Sequence, residues 1–119
     1  MSAQFTDRSI PEISVEELAT RLAEEDPALQ LIDVREPEEV AIARIEGFEV
    51  LSLSEFTQWA DQIKTRFNPE TETLVMCHHG VRSAQMCQWL RNVGFINVKN
   101  ISGGIDAYSL LVDPTIPRY

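Results

Sequence analysis

Short β-rich runs and helix-patterned segments alternate along this chain from Ile10 to Leu111, and that order constrains the fold more than any other feature. Ile10–Ile13 reads as a short strand that Pro11 pushes to a sheet edge. Ser14-x-x-Glu17 is a capping box, and Leu18, Ala19 and Leu22 recur at helical spacing, so a helix is predicted over roughly 14–25. Leu29, Leu31, Ile32 and Val34 form a buried strand. A short helix over about 37–43 follows, with Pro37 in its first turn and Glu36, Glu38 and Glu39 as that turn's solvated face. Phe48, Val50 and Leu51 give another short strand after Gly47. Ser54 opens a helix whose buried stripe is Phe56, Trp59, Ala60, Ile63 and Phe67, and Asn68-Pro69 stops it. Thr73–Cys77 reads as a central strand and Ser83–Val93 as a helix closed by Gly94. Ile96, Val98 and Ile101 alternate as a strand does, Gly103-Gly104 is a turn, and Ile105–Leu111 gives a last helix before an extended tail.

This order predicts an α/β fold, a central parallel sheet with helices on both faces, in one domain over residues 1–119. In such sheets ligands sit beyond the C-terminal ends of the strands. The net charge of −9 argues against non-specific nucleic-acid binding, and no apolar run is long enough to cross a bilayer. Two cysteines do not make a disulfide scaffold, and with no signal-peptide pattern at the start the expected setting is reducing and cytoplasmic. Residues 1–72 carry 17 acids and 6 bases, whereas 73–119 carry 2 acids and 4 bases, so an anion site is better placed in the later part.

Cys77-His78-His79-Gly80-Val81-Arg82-Ser83 leaves a strand end and enters a helix. Backbone N–H groups of residues 78–83 have few partners in regular structure there and can curl into a nest that favours negative charge. Gly80 permits the positive φ such a curl needs. Cys77 at the base is the candidate nucleophile, since the thiolate is favoured by such a setting, and Arg82 is the candidate fork for the oxygens of an anion. The alternative is that Cys77 is simply a buried strand-end residue. Cys87, on the apolar face of its helix, reads as inert core. His78 and His79 are expected at the pocket rim. Neighbouring histidines rarely point at one ion and no spaced partner completes a set, so no metal is expected.

The chain resembles the rhodanese family of sulfurtransferases along most of its length. Leu31-Ile32-Asp33-Val34-Arg35-Glu36-Pro37-Glu38-Glu39 is similar to the family's first motif, Cys77–Ser83 to its C-x-x-G-x-R-S active loop, and Gly103-Gly104-Ile105-Asp106-Ala107-Tyr108 to its closing G-G-x-x-A-W. The resemblance implies a parallel sheet of about five strands, and no cofactor. It implies that Cys77 takes up a sulfane sulfur as a persulfide and passes it to an acceptor. The N–H groups of His78, His79, Gly80, Val81, Arg82 and Ser83 would then cradle the sulfur. Asp33 and Arg35 would support the loop without touching the chemistry. Arg44, Phe48 and Tyr108 stand where the family has histidine, alanine and tryptophan. His78 replaces a frequent arginine, which removes a fixed positive charge from the rim. Four residues separate Cys77 from Arg82, whereas related cysteine phosphatases use five, and the shorter loop suits one sulfur atom better than a phosphate.

The expected partners are a small sulfur-containing anion such as thiosulfate as donor and a thiophilic acceptor, with a carrier protein among the candidates. Neither nucleic acid nor membrane is expected. The alternative function is a non-catalytic binding or redox-sensing module on the same fold.

Overall fold

Every strand pairs in parallel with its neighbour, as the alternating order requires. The computed structural model describes residues 9–119. Its sheet contains β1 (Glu12–Ile13), β2 (Gln30–Asp33), β3 (Glu49–Val50), β4 (Thr73–Met76) and β5 (Val98–Ile101), in the spatial order β1-β5-β4-β2-β3. The helices are α1 (Val15–Ala23), α2 (Pro37–Ile42), α3 (Phe56–Trp59), α4 (Ile63–Arg66), α5 (Val81–Asn92) and α6 (Gly104–Leu111). The predicted fold class is therefore the observed one.

The central strand β4 is buried at all four positions, as a strand covered on both faces must be. It registers with β2 through Ile32↔Val75 and Asp33↔Met76, and with β5 through Val75↔Asn100. Alternation sends Leu74 and Met76 to one face, into a core with Ile13, Leu18, Ile101 and Ile105, and Val75 and Cys77 to the other, with Ile32, Trp59, Leu90 and Phe95. β2, β4 and β5 all end on one edge of the sheet. The turns that leave them carry Arg35, Cys77 and Gly103 towards a common region.

Local caps explain the boundaries. Ser14 and Glu17 form the reciprocal capping box at α1, with bonds of 3.0 and 2.9 Å. Helix α5 begins at Val81, two residues earlier than the pattern predicts, because Gly80 takes φ 104° and turns the chain directly into the helix. The single helix predicted after Ser54 is instead α3 and α4, separated by a tighter turn at Ala60–Gln62 and preceded by one at Leu53–Glu55. Trp59 accounts for part of this. Its Nε1–H donates to the Ser52 carbonyl at 2.9 Å, and its ring packs edge-on to Phe56 and Trp89, fixing the entry to the segment from outside the helix. Ser54 does not cap. Its hydroxyl donates to Glu36 across the fold. Among the described residues no helix is long and apolar enough to cross a membrane.

Candidate active site

Cys77 follows β4 directly and is 1% exposed. The Gly80 N–H donates to Cys77 Sγ at 3.0 Å, and Ser83 Oγ lies 3.2 Å from the same sulfur. The sulfur thus sits in the mouth of a tight curl, with α5 beginning immediately behind it. A Cβ on Gly80 would come within 3.2 Å of the Gly103 nitrogen, and the backbone there is left-handed, so both space and φ select glycine. Val81, the first residue of α5, is 68% exposed, so its side chain lies outside the curl.

The closing glycines form part of this site. The N–H of Ile105 donates to the Cys77 carbonyl at 3.0 Å and that of Asp106 to the His78 carbonyl at 3.1 Å. These are first-turn donors of α6 with no intrahelical partner, which they find in the loop. Because peptide units are planar and trans, drawing those carbonyls towards α6 turns the N–H groups of His78 and His79 the opposite way. Gly104 makes the approach possible: a Cβ there would lie 2.4 Å from both carbonyl oxygens.

Arg82 is expected to present its fork to an anion, and in this structure the fork is turned to a carboxylate. Its Nη1 and Nη2 donate to the two carboxylate oxygens of Glu39 at 2.8 and 2.9 Å. That bidentate pair holds the Glu39 carboxyl down to about 2, against an ordinary 4.5, with burial opposing the shift, and it raises Arg82 further. Glu39 is therefore no solvated first-turn acid, and its neighbour Glu36 accepts from the Ser54 N–H at 3.2 Å. Asp33 and Arg35 sit where a supporting role puts them. Arg35 is wholly buried, donates to both Asp33 oxygens, and donates from Nη2 to the Ala43 carbonyl at 2.8 Å. Its Nη1 reaches the Tyr119 hydroxyl at 2.9 Å, and that hydroxyl donates to Glu39 at 2.9 Å. A continuous polar chain thus runs Asp33–Arg35–Tyr119–Glu39–Arg82 from the end of β2 to the start of α5.

His78 is stacked between His79 and Tyr119, with ring centroids 3.8 Å from each. Burial first, and then the neighbouring His79, push the His78 imidazole below its usual range, so it supplies no fixed positive charge at neutral pH. His79 is largely exposed and its Nε2 lies 3.9 Å from Asp106. These two neighbouring histidines, of a kind that rarely face one ion, do converge here. With Asp106 they bring three ligand-type atoms within 4.8 Å. Arg118 holds the Asp106 carboxylate at 3.0 Å, however, so the cluster is not free to close on an ion. Cys87 is buried, and burial raises its thiol to about 12, in line with an inert core role.

Three participants escaped sequence reading: Glu39, Tyr119 and Asn100. Asn100 is 2% exposed on β5, and its Nδ2 donates to the Gly80 carbonyl at 2.9 Å. Only Glu39 left a signal, the Glu36/Glu39 spacing of a capping box, in which the Glu36 N–H donates to Glu39 at 3.0 Å.

Comparison with known proteins points the same way. The family model of the rhodanese-like domain matches residues 14–111. A rhodanese-like/PpiC domain-containing protein 12, chloroplastic, of Arabidopsis thaliana is 49% identical over 114 residues, covering 92% of this chain but only 38% of that protein. A thiosulfate sulfurtransferase of Tolumonas auensis is 31% identical over 106 residues, covering 89% of this chain and 90% of the relative. The crystal structure of a rhodanese-like domain protein from Staphylococcus aureus superposes with a TM-score of 0.74 at 28% identity, covering 92% of this chain and 99% of that one. A parallel five-stranded sheet, a cysteine in a curled loop at the end of its central strand and a family match across nearly all the described residues lead to one assignment: this chain belongs to the rhodanese-like domain family.

Proposed function

We propose that this rhodanese-like domain is a sulfurtransferase that carries a sulfane sulfur as a persulfide on Cys77. The observation that carries this reading is the pair of groups converging on one sulfur, the Gly80 N–H at 3.0 Å and Ser83 Oγ at 3.2 Å. The Gly80 N–H can stabilise an anionic sulfur, in a cradle too short for a phosphate. The relative named for thiosulfate sulfurtransferase activity adds support.

With thiosulfate as donor, the Cys77 thiolate attacks the outer sulfur. A new S–S bond forms, the donor's own S–S bond breaks, and sulfite leaves with the bonding pair. Three negative charges stand on each side. The acceptor, a thiolate, cyanide or a carrier protein, then takes the outer sulfur and returns Cys77 to its thiolate. Backbone donors of His78 to Ser83 hold the transferred sulfur, and Asp33 and Arg35 keep the loop in place through Glu39. Because Arg82 is paired and His78 is neutral, the dianion is held mainly by main-chain dipoles, so a weak affinity for thiosulfate is expected. Two free cysteines suit a reducing compartment such as the cytoplasm.

The test is incubation with thiosulfate, mercaptopyruvate or polysulfide, followed by mass spectrometry. One added sulfur on Cys77, released by cyanide and absent in Cys77→Ser, is expected. The 1% exposure of Cys77 favours the second reading, a binding or redox-sensing module. No adduct from any donor, with the fold intact, would establish that reading instead.

A further inference from the structure

Ser83 Oγ lies 3.2 Å from Cys77 Sγ and 2.5 Å from Asn100 Oδ1. Ser83 and Asn100 are 0% and 2% exposed, so no bulk water relieves the competition. A hydroxyl carries one proton and donates it to one acceptor at a time. The orientation of Asn100 is fixed by its other end, where Nδ2 faces two acceptors, the Gly80 carbonyl at 2.9 Å and Glu12 Oε2 at 3.5 Å. Oδ1 must therefore face Ser83 as an acceptor, and at the shorter distance it takes the hydroxyl proton.

We propose that Asn100 is a positioning residue that competes with Cys77 for the Ser83 hydroxyl proton and leaves the unloaded thiolate one hydrogen bond short. In the thiol state every group is satisfied: S–H donates to Ser83 Oγ, and Ser83 O–H to Asn100. In the thiolate state the hydroxyl either stays on Asn100 and leaves the sulfur with the Gly80 N–H, or turns to the sulfur and strands a buried amide oxygen. Once a second sulfur is attached the conflict ends. The negative charge then sits on the outer sulfur, the inner sulfur is neutral, and the Ser83 proton returns to Asn100. The proton stays on Oγ throughout and only its direction changes. Asn100 thereby favours the loaded site over the empty one, a use that rests on the sulfur-relay reading. The hydrogen-bond competition itself does not depend on that reading and is tested on unloaded protein.

The measurement is thiolate absorbance at about 240 nm against pH, where the thiolate absorbs and the thiol does not. Burial pushes Cys87, Tyr108 and Tyr119 above their usual ranges, and subtracting the signal of Cys77→Ser isolates that of Cys77. The other titratable groups around this sulfur and Asn100 are Arg82 on α5, His78 in the loop and Glu12 on β1, and they are unchanged in every variant. Asn100→Ala removes the competing acceptor. It is expected to hold about fivefold more thiolate than wild type at a pH where wild type is mostly thiol. In a Ser83→Ala background the same substitution is expected to do nothing. Asn100→Asp keeps the acceptor while losing the Gly80 contact, so its thiolate fraction stays at or below wild type. An effect of equal size with and without Ser83, or Ala and Asp variants that move together, would overturn the proposal and assign Asn100 to holding the loop alone.

Discussion

Glu39→Gln removes one charge from the centre of the polar chain between β2 and α5, and its cost can be worked from the structure. Arg82 holds the Glu39 carboxyl at about 2 instead of 4.5. A displacement of that size corresponds to about 3 kcal/mol of preference for the charged form. The Glu39 and Arg82 side chains are 19% and 35% exposed, so solvent screening lowers the net stabilisation to about 2 kcal/mol. The sign follows from the depressed native value. The stabilisation is complete above pH 4.5, the unfolded value, and is lost as the pH falls through about 2. Urea denaturation of wild type and Glu39→Gln should therefore differ by about 1 M in midpoint at pH 7. The gap should be unchanged at pH 6 and should have lost more than half its size by pH 3. Equal midpoints at pH 7, or a gap that stays constant down to pH 3, would refute the assignment of that stability to the Arg82 pair.

Gly104→Ala places a methyl 2.4 Å from the Cys77 and His78 carbonyls and is expected to destabilise by about 3 kcal/mol or more and to abolish persulfide formation, as read by denaturation and mass spectrometry. Gly80→Ala strains a backbone at φ 104° and is expected to cost about 1–2 kcal/mol in thermal unfolding while slowing sulfur uptake. Cys87→Ala should retain full sulfur uptake. Conversely, native protein treated with iodoacetamide near neutral pH should carry no label at Cys87, because its thiol lies near 12. Trp59→Phe keeps most of the packing and removes one of the two hydrogen bonds to the Ser52 carbonyl, which still accepts from the Glu55 N–H at 2.9 Å, and should cost about 1 kcal/mol in urea.

What was legible in the sequence was local. The alternation of periods placed β4 and α5, with Cys77 and Gly80 in the turn between them and Ser83 in the first turn of α5, because strand ends, helix starts and positive-φ glycines each leave a signal within a few residues. The broken helix after Ser54 was not legible, since its entry is fixed by Trp59 reaching back to Ser52 and across to Trp89. The partner of Arg82 is hidden from the sequence for a similar reason. An arginine beside a candidate anion site looks available until its partner is known, and Glu39 comes from a different helix. Asn100 and Tyr119 reach the loop from β5 and from the tail after α6, so no spacing rule could have connected them to Cys77. The family resemblance implies a supporting role for Asp33 and Arg35, whereas their route to the loop, by way of Glu39 and Tyr119, depends on contacts between residues far apart in the chain.

The two amides of α6 that grip the Cys77 and His78 carbonyls have a consequence for biosynthesis. Synthesis runs from the N-terminus, so Cys77 leaves the ribosome well before the segment that shapes its surroundings. Until Ile105 and Asp106 dock, nothing from α6 sets those two peptide planes. The curl around the sulfur is therefore completed late, together with the closing of the fold, and a chain stalled short of α6 has Cys77 without the contacts that fix its loop.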